Sequence, residues 1–226
     1  MVDTKNIRLT AEELEKCIEF SRTSAPNQRP NEFGQRTPLR DPEETARDTL
    51  IGKIAEVAFR KMMLENYGID VPLDFNYYPR GEYDDQDTEI NGWRIDVKGT
   101  RQGGRWLLIE WSKLDFRQKK GKLSHLYVMF SVGWDRDTDQ PTGTASYQGF
   151  VTLSRLKKDC PGTRVLEEGD IIPGTKMPLI ADNFGIHFRD LYTYPSDLIN
   201  ILKIAPPLSL TNSFLNPCAG ETERQG

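Results

Sequence analysis

Between Asp87 and Thr100 the chain reads Asp-Thr-Glu-Ile-Asn-Gly-Trp-Arg-Ile-Asp-Val-Lys-Gly-Thr. In an extended strand the side chains alternate, so Asp96 and Lys98 share one face while Ile95 and Val97 take the other. A carboxylate and an ammonium then stand side by side. Asn91-Gly92 is a strong hairpin signal, because a type I′ turn needs positive φ at both central residues. Counting outward from it pairs Ile90 with Trp93, Glu89 with Arg94, Thr88 with Ile95 and Asp87 with Asp96. Two carboxylates brought that close repel and raise one pKa unless a cation offsets them. A site made only of oxygen donors suits Mg²⁺, with Mn²⁺ as a substitute.

Glu56 lies within Gly52-Lys53-Ile54-Ala55-Glu56, on a helix stripe shared with Gly52, Lys53 and Arg60 rather than with the apolar Leu50, Ile54 and Val57 row. Gly52 sacrifices about 1 kcal/mol of helix propensity relative to Ala, which suggests a close backbone approach or crowding at that face. Downstream, residues 94–122 hold nine basic and three acidic side chains, a local charge of +6 in a chain whose total is −4. Arg101 and Arg105, nearest the Asp-x-Lys pair, are candidates for phosphate contact, as are Lys53 and Arg60 on the helix. Lys119, Lys120 and Lys122 read equally well as a solvated loop. Trp106 and Trp111 read as sheet aromatics, and His125 and His187 as structural residues, since neither histidine has a ligand partner at useful spacing.

These residues need a scaffold, and the periodicities supply one. Thr10 and Glu13 form a capping box for a helix over 10–21 with Leu14, Cys17 and Ile18 on one face. Residues 22–48 read as an aperiodic surface loop. A long helix begins at 42 or 45 and runs to 67, where Gly68 stops it. An extended stretch is expected over 71–78 and strands over 106–111, 125–134 and 147–153, the second of these apolar enough for a sheet centre. A short helix over 154–158, a strand over 184–188 and a brief helix from 194 complete the reading. The expected organisation is an arm at 1–44, a domain at 45–204 and a flexible tail at 205–226. The class is α+β, α/β/α-like, a central mixed sheet flanked by helices.

Composition narrows the function classes. A chain of 226 residues with 37% hydrophobic and 28% charged side chains can build one domain with a real core, and a net charge of −4 is not that of a nucleic-acid-coating polycation. Cys17, Cys160 and Cys218 are odd in number and lack C-x-x-C spacing, which argues against a disulfide framework or zinc knuckle. Residues 1–8 lack a signal-peptide core and no apolar window spans a bilayer, so a cytoplasmic setting without membrane is expected. No Walker loop or G-x-G-x-x-G fingerprint is present.

A helix Glu, then an Asp, then Asp-x-Lys on a strand, spaced Asp87-x8-Asp96-x-Lys98, resembles the PD-(D/E)XK nuclease superfamily. The resemblance covers roughly residues 48–132 and continues more loosely to 198. It implies a restriction-endonuclease-like core of αβββαβ type and Mg²⁺-dependent phosphodiester hydrolysis. Asp87 and Asp96 would ligate metal together with the Val97 carbonyl. Lys98 would orient or help deprotonate the attacking water, and Glu56 would bind a second metal or its water. Gln86 stands where Pro often precedes the first Asp, leaving Asp84 and Asp85 as competitors for Asp87, and Gln118 could be a further polar site residue. The expected activity is that of a DNA endonuclease, possible also as a homodimer. An RNase, or a non-catalytic nucleic-acid-binding or structural protein of the same fold, is the alternative. Sequence specificity would come from insertions such as 22–48 or 135–144.

Overall fold

The computed structural model describes residues 5–24, 41–77, 87–111, 123–156, 162–176, 178–204 and 206. Helix α1 (Ala11–Ser24) starts with the expected capping box: Glu13 N–H donates to Thr10 Oγ1 at 3.1 Å and Thr10 N–H to Glu13 Oε2 at 2.7 Å. Helix α2 (Pro42–Tyr67) is capped by Asp41, which accepts from Glu43 N–H, and ends at Gly68 in the left-handed region with φ 67°. Its buried residues, from Leu50 and Ile51 to Met62 and Met63, occupy more than one stripe. The reason is that α2 is covered twice, by α1 and by the sheet. Lys61 ties the two helices together through Glu13 at 2.9 Å.

The sheet beneath α2 has five strands: β1 (Asn6–Arg8), β2 (Thr88–Ile90), β3 (Trp93–Arg101), β5 (Leu126–Asp135) and β6 (Gln140–Thr152), in the order β1-β6-β5-β3-β2. It is mixed, because β3 and β5 run parallel and the other pairs antiparallel. β5 lies between β6 and β3, as its continuous apolar run predicts. The β2–β3 hairpin turns at Asn91 (φ 49°) and Gly92 (φ 80°) in the expected register, Ile90 to Trp93, Glu89 to Arg94 and Thr88 to Ile95. Helix α3 (Pro195–Leu202) adds Leu198, Ile199 and Leu202 to the α2 core, and the carbonyl of Leu202 accepts from the Asn91 side chain.

The other face of the five-stranded sheet carries a layer the sequence did not foretell. β4 (Trp106–Glu110), β7 (Thr163–Leu166) and β8 (Asn183–His187) form a separate antiparallel sheet in the order β4-β8-β7. Its Leu107, Ile109, Phe184 and Ile186 share a second core with Tyr127, Met129 and Val151 of the first sheet. The α+β class holds, but among the described residues the layer expected to be helical is a sheet. Other boundaries also shift. The helix expected at 154–158 is a 3₁₀ turn at Leu153–Leu156, and 140–144, expected as part of an insertion, belong to strand β6. The first helix and β1 pack into the same core as α2, with Cys17 fully buried. Most of the loop expected at 22–48 and of the tail, with Cys160 and Cys218, lies outside the described residues.

Candidate active site

β2 is only three residues long and pairs with β3 up to Ile95. From Asp96 onward the edge of β3 facing β2 has no strand beside it among the described residues. Asp87, the residue before β2, takes the next ladder position with its side chain: its Oδ2 accepts from Val97 N–H at 2.5 Å. A strand residue points its N–H and C=O to the same side, so the Val97 carbonyl opens onto this edge beside Asp87. On the face turned away from α2, Asp96 Oδ1 lies 2.5 Å from Lys98 Nζ. Asp96 stands next to Tyr127 and Lys98 next to Met129 in the parallel register. Glu56 approaches from α2 on the opposite face. The site therefore wraps the edge of β3 where the hairpin ladder stops.

α2 reaches that edge because β3 carries a glycine there. A Cβ on Gly99 would sit 2.7 Å from the Ile51 carbonyl oxygen and 2.9 Å from Ile51 Cγ2. The close approach expected at Gly52 is absent: a Cβ there would meet nothing within 4 Å. The crowding lies one residue earlier on the helix, and the glycine that permits it is on the strand.

The three carboxylates interact strongly. Burial pushes the Asp87 carboxyl well above the usual range, and the charges of Asp96 and Glu56 push it further, against the pull of Lys98 and the Val97 N–H. Burial also raises Glu56; Lys53 opposes this, and Asp96 adds to it. For Lys98, burial alone would lower the ammonium, but Asp96, Asp87 and Glu56 more than offset it and hold it above its ordinary value. Tyr127 is raised by burial and by the Asp96 charge. Asp96 Oδ1 has the Lys98 ammonium as its partner, while the buried Thr88 Oγ1 next to Asp87 makes no hydrogen bond among the described residues.

No group of three His, Cys, Asp or Glu side chains is gathered at ligating distance among the described residues. The donor chemistry nevertheless fits a hard divalent cation. Three mutually repelling carboxylates and a main-chain carbonyl are all oxygen donors, and a bound cation would relieve the repulsion.

The expected phosphate contacts separate. The Lys53 ammonium is buried and bonds Glu56 Oε2 at 2.5 Å and the Asp74 carbonyl at 2.8 Å, so it is not presented to an approaching nucleic acid. Arg60 is paired with Asp70 at 3.0 Å. Arg101 is exposed, lies 3.5 Å from Asp139 and stacks over Trp134. Arg105 is exposed at the start of β4, its carbonyl bonded by Phe188 N–H. Asp84, Asp85, Gln118 and the lysines at 113, 119, 120 and 122 lie outside the described residues. Both histidines have structural partners: His125 Nδ1 accepts from Arg94 N–H, and His187 Nδ1 accepts from Arg189 N–H and packs edge-on against Trp106. The sequence reading missed the burial of Lys53 and its neighbours Phe20, Asp74 and Phe75; the i,i+3 spacing of Lys53 and Glu56 was the one available signal.

Among the described residues no helix is long and apolar enough to cross a membrane. The chain matches no family model, no curated protein and no solved structure.

Proposed function

We propose that the chain is a Mg²⁺-dependent nuclease of the PD-(D/E)XK kind, acting on DNA as an endonuclease. The observation that carries this reading is the Asp87 carboxylate bonded to Val97 N–H beside the Asp96–Lys98 ion pair, with the Glu56 charge on α2 near enough to raise Asp87. The order α2, β2, β3 and the parallel pairing of β3 with β5 are compatible with the αβββαβ pattern, although β4 belongs to the second sheet; residues 112–122 lie outside the described residues. That order supports the restriction-endonuclease-like core.

Asp87, Asp96, the Val97 carbonyl and Glu56 would hold the cation. When bound, the cation would supply charge neutralisation at the phosphate and acidify the attacking water. The chain's own residues do the rest. Asp87 both caps the strand edge and fixes the direction of the Val97 peptide. Lys98, held protonated by three carboxylates, places positive charge and a donor beside the phosphate oxygens. From there it would orient the attacking water or help to deprotonate it. Arg101, exposed at the end of β3, supplies backbone contact.

The test is cleavage of single-stranded, duplex and branched DNA and RNA with Mg²⁺, Mn²⁺ or EDTA. Wild type is expected to cut DNA with Mg²⁺ or Mn²⁺ and not with EDTA, and Asp96→Asn and Lys98→Ala to lose at least about a hundredfold in rate. Mutants that cut as fast as wild type would sink the site. A wild type that cuts nothing yet binds nucleic acid would favour the non-catalytic alternative.

A further inference from the structure

Lys53 is a buried lysine that the nuclease reading leaves without a task. Its residue is 7% exposed, and no phosphate can reach its ammonium without displacing existing partners. Those partners come from three separate parts of the chain. Glu56 Oε2 lies 2.5 Å away one helical turn along α2, and the Asp74 carbonyl accepts at 2.8 Å from the segment leading toward Asp87. The ring of Phe20 on α1 lies 4.7 Å from Nζ and that of Phe75 lies 5.3 Å away. Two oxygens and two aromatic faces thus surround one charge.

A methionine would fill this helix position without the cost of burying an ammonium, so packing alone does not explain a lysine. What the charge does is fix one oxygen of a carboxylate. With Oε2 held, the rotation of the Glu56 carboxylate is set and Oε1 is left for another partner. A carboxylate that meets a cation is commonly oriented by such an outer hydrogen bond, and loss of the outer partner typically costs 10–100-fold in metal affinity.

We propose that Lys53 is the positioning residue for Glu56, clamped by Asp74, Phe20 and Phe75 so that the free carboxylate oxygen of Glu56 faces the Asp87–Asp96 cluster and a divalent cation bound there. This rests on the metal site of the proposed nuclease. It also makes α1 and the segment before Asp87 part of the site's support, and it replaces the phosphate-contact role that sequence position suggests for Lys53.

The test uses the full chain and Mn²⁺ alone, titrated calorimetrically into wild type, Lys53→Met, Glu56→Gln and the double variant. Each single variant is expected to weaken Mn²⁺ binding by about tenfold or more, and the double variant to be no weaker than the worse single one. Multiplying losses in the double variant, which a merely structural lysine would give, overturn the proposal, as does wild-type affinity in Lys53→Met. Binding of a labelled DNA duplex in EDTA is expected to be unchanged in Lys53→Met; a drop there would restore the phosphate-contact role and overturn the proposal. If Lys53→Met does not fold, Phe20→Leu keeps an apolar cover while removing one ring. It should weaken Mn²⁺ binding less, with no effect in the Glu56→Gln background, and an equal effect in both backgrounds overturns the proposal. Wild type that takes up no Mn²⁺ overturns the metal site together with the role of Lys53. Weakening in Glu56→Gln but not in Lys53→Met overturns the role of Lys53 alone.

Discussion

Replacing Gly99 with alanine tests the close approach on which the site depends. The added methyl would lie 2.7 Å from the Ile51 carbonyl oxygen, where ordinary contact begins at 3.4 Å, so β3 and α2 must separate by about 0.7 Å. The nearest atom belongs to the backbone, so shortening the Ile51 side chain cannot relieve it. Gly99 is not among the glycines in the left-handed region, and alanine incurs no backbone strain there. The effect is therefore steric. Overpacking of this kind costs ~1–3 kcal/mol, which for a domain of this size lowers Tm by roughly 2–12 °C. Because α2 also carries Glu56, the same displacement moves a carboxylate away from its cluster; at roughly a hundredfold per ångström of misplacement, cleavage should fall tenfold or more in folded protein. Thermal melts and Mg²⁺-dependent cleavage rates are the two assays. Gly52→Ala is the control on the same helix: its Cβ meets open space, so it should gain about 0.8–1 kcal/mol of helix propensity and leave the rate unchanged. Wild-type stability and rate in Gly99→Ala, or destabilisation by Gly52→Ala, would refute the reasoning.

Asp87→Asn should raise Tm at neutral pH while abolishing cleavage. The folded Asp87 carboxyl lies above its ordinary 3.8, so its contribution is favourable below that value and is lost as pH rises through the folded pKa; the amide removes the buried charge and can still accept from Val97 N–H. A lower Tm for Asp87→Asn at pH 7 would contradict this. The Cys17 thiol is pushed up to about 12 by burial, so its contribution is complete below its ordinary 9.0 and is lost as pH rises toward 12. Urea midpoints should fall above pH 9 more steeply in wild type than in Cys17→Ala. Thr10→Ala, which removes half of the α1 capping box, should cost about 0.5–2 kcal/mol in urea unfolding. Burial raises Glu13, but the Thr10 N–H and Lys61 hold it below its ordinary 4.5, so its contribution is present above that value and is lost as pH falls through the folded pKa; part of the acid sensitivity should vanish in Glu13→Gln.

What could be read in advance was whatever a local rule determines. Asn91-Gly92 dictated the hairpin turn and, through it, the three paired positions of β2 and β3. Thr10 with Glu13, and Gly68, marked helix ends because caps satisfy backbone groups within a few residues. The sequence could not say where the ladder stops: the pairing ends at Thr88 with Ile95, so the expected facing of Asp87 with Asp96 is not part of the ladder, and Asp87 instead accepts from Val97 N–H. β1 and β7 are three and four residues long and take their identity from the strands they pair with, β6 and β8. The first half of β6, with Pro141 and Gly143, has turn composition and is held extended by β5 and β1. Lys53 reads as a surface charge because its aromatic cover comes from elsewhere in the chain. Gly52 and Gly99 show the same limit: propensity identifies an unusual glycine, but only packing tells which one is crowded.

The energetic character of the site separates function from ornament. A solvated Asp-x-Lys pair on an exposed strand would contribute ~0–1 kcal/mol and leave neighbouring groups unaffected. Here burial and mutual repulsion raise two carboxyls. These features oppose folding, since a structure selected for stability alone would replace such acids with neutral or apolar groups. The residues that tolerate them are likewise specialised: a glycine that lets α2 approach β3, and a lysine buried under two rings to hold one oxygen of Glu56. The same argument accounts for a negative chain bearing +6 over residues 94–122. On the proposed nuclease reading, acids gathered at the edge of β3 would meet a cation while basic residues nearby would meet phosphate, so that a bound cation would turn repulsion for a phosphodiester into attraction.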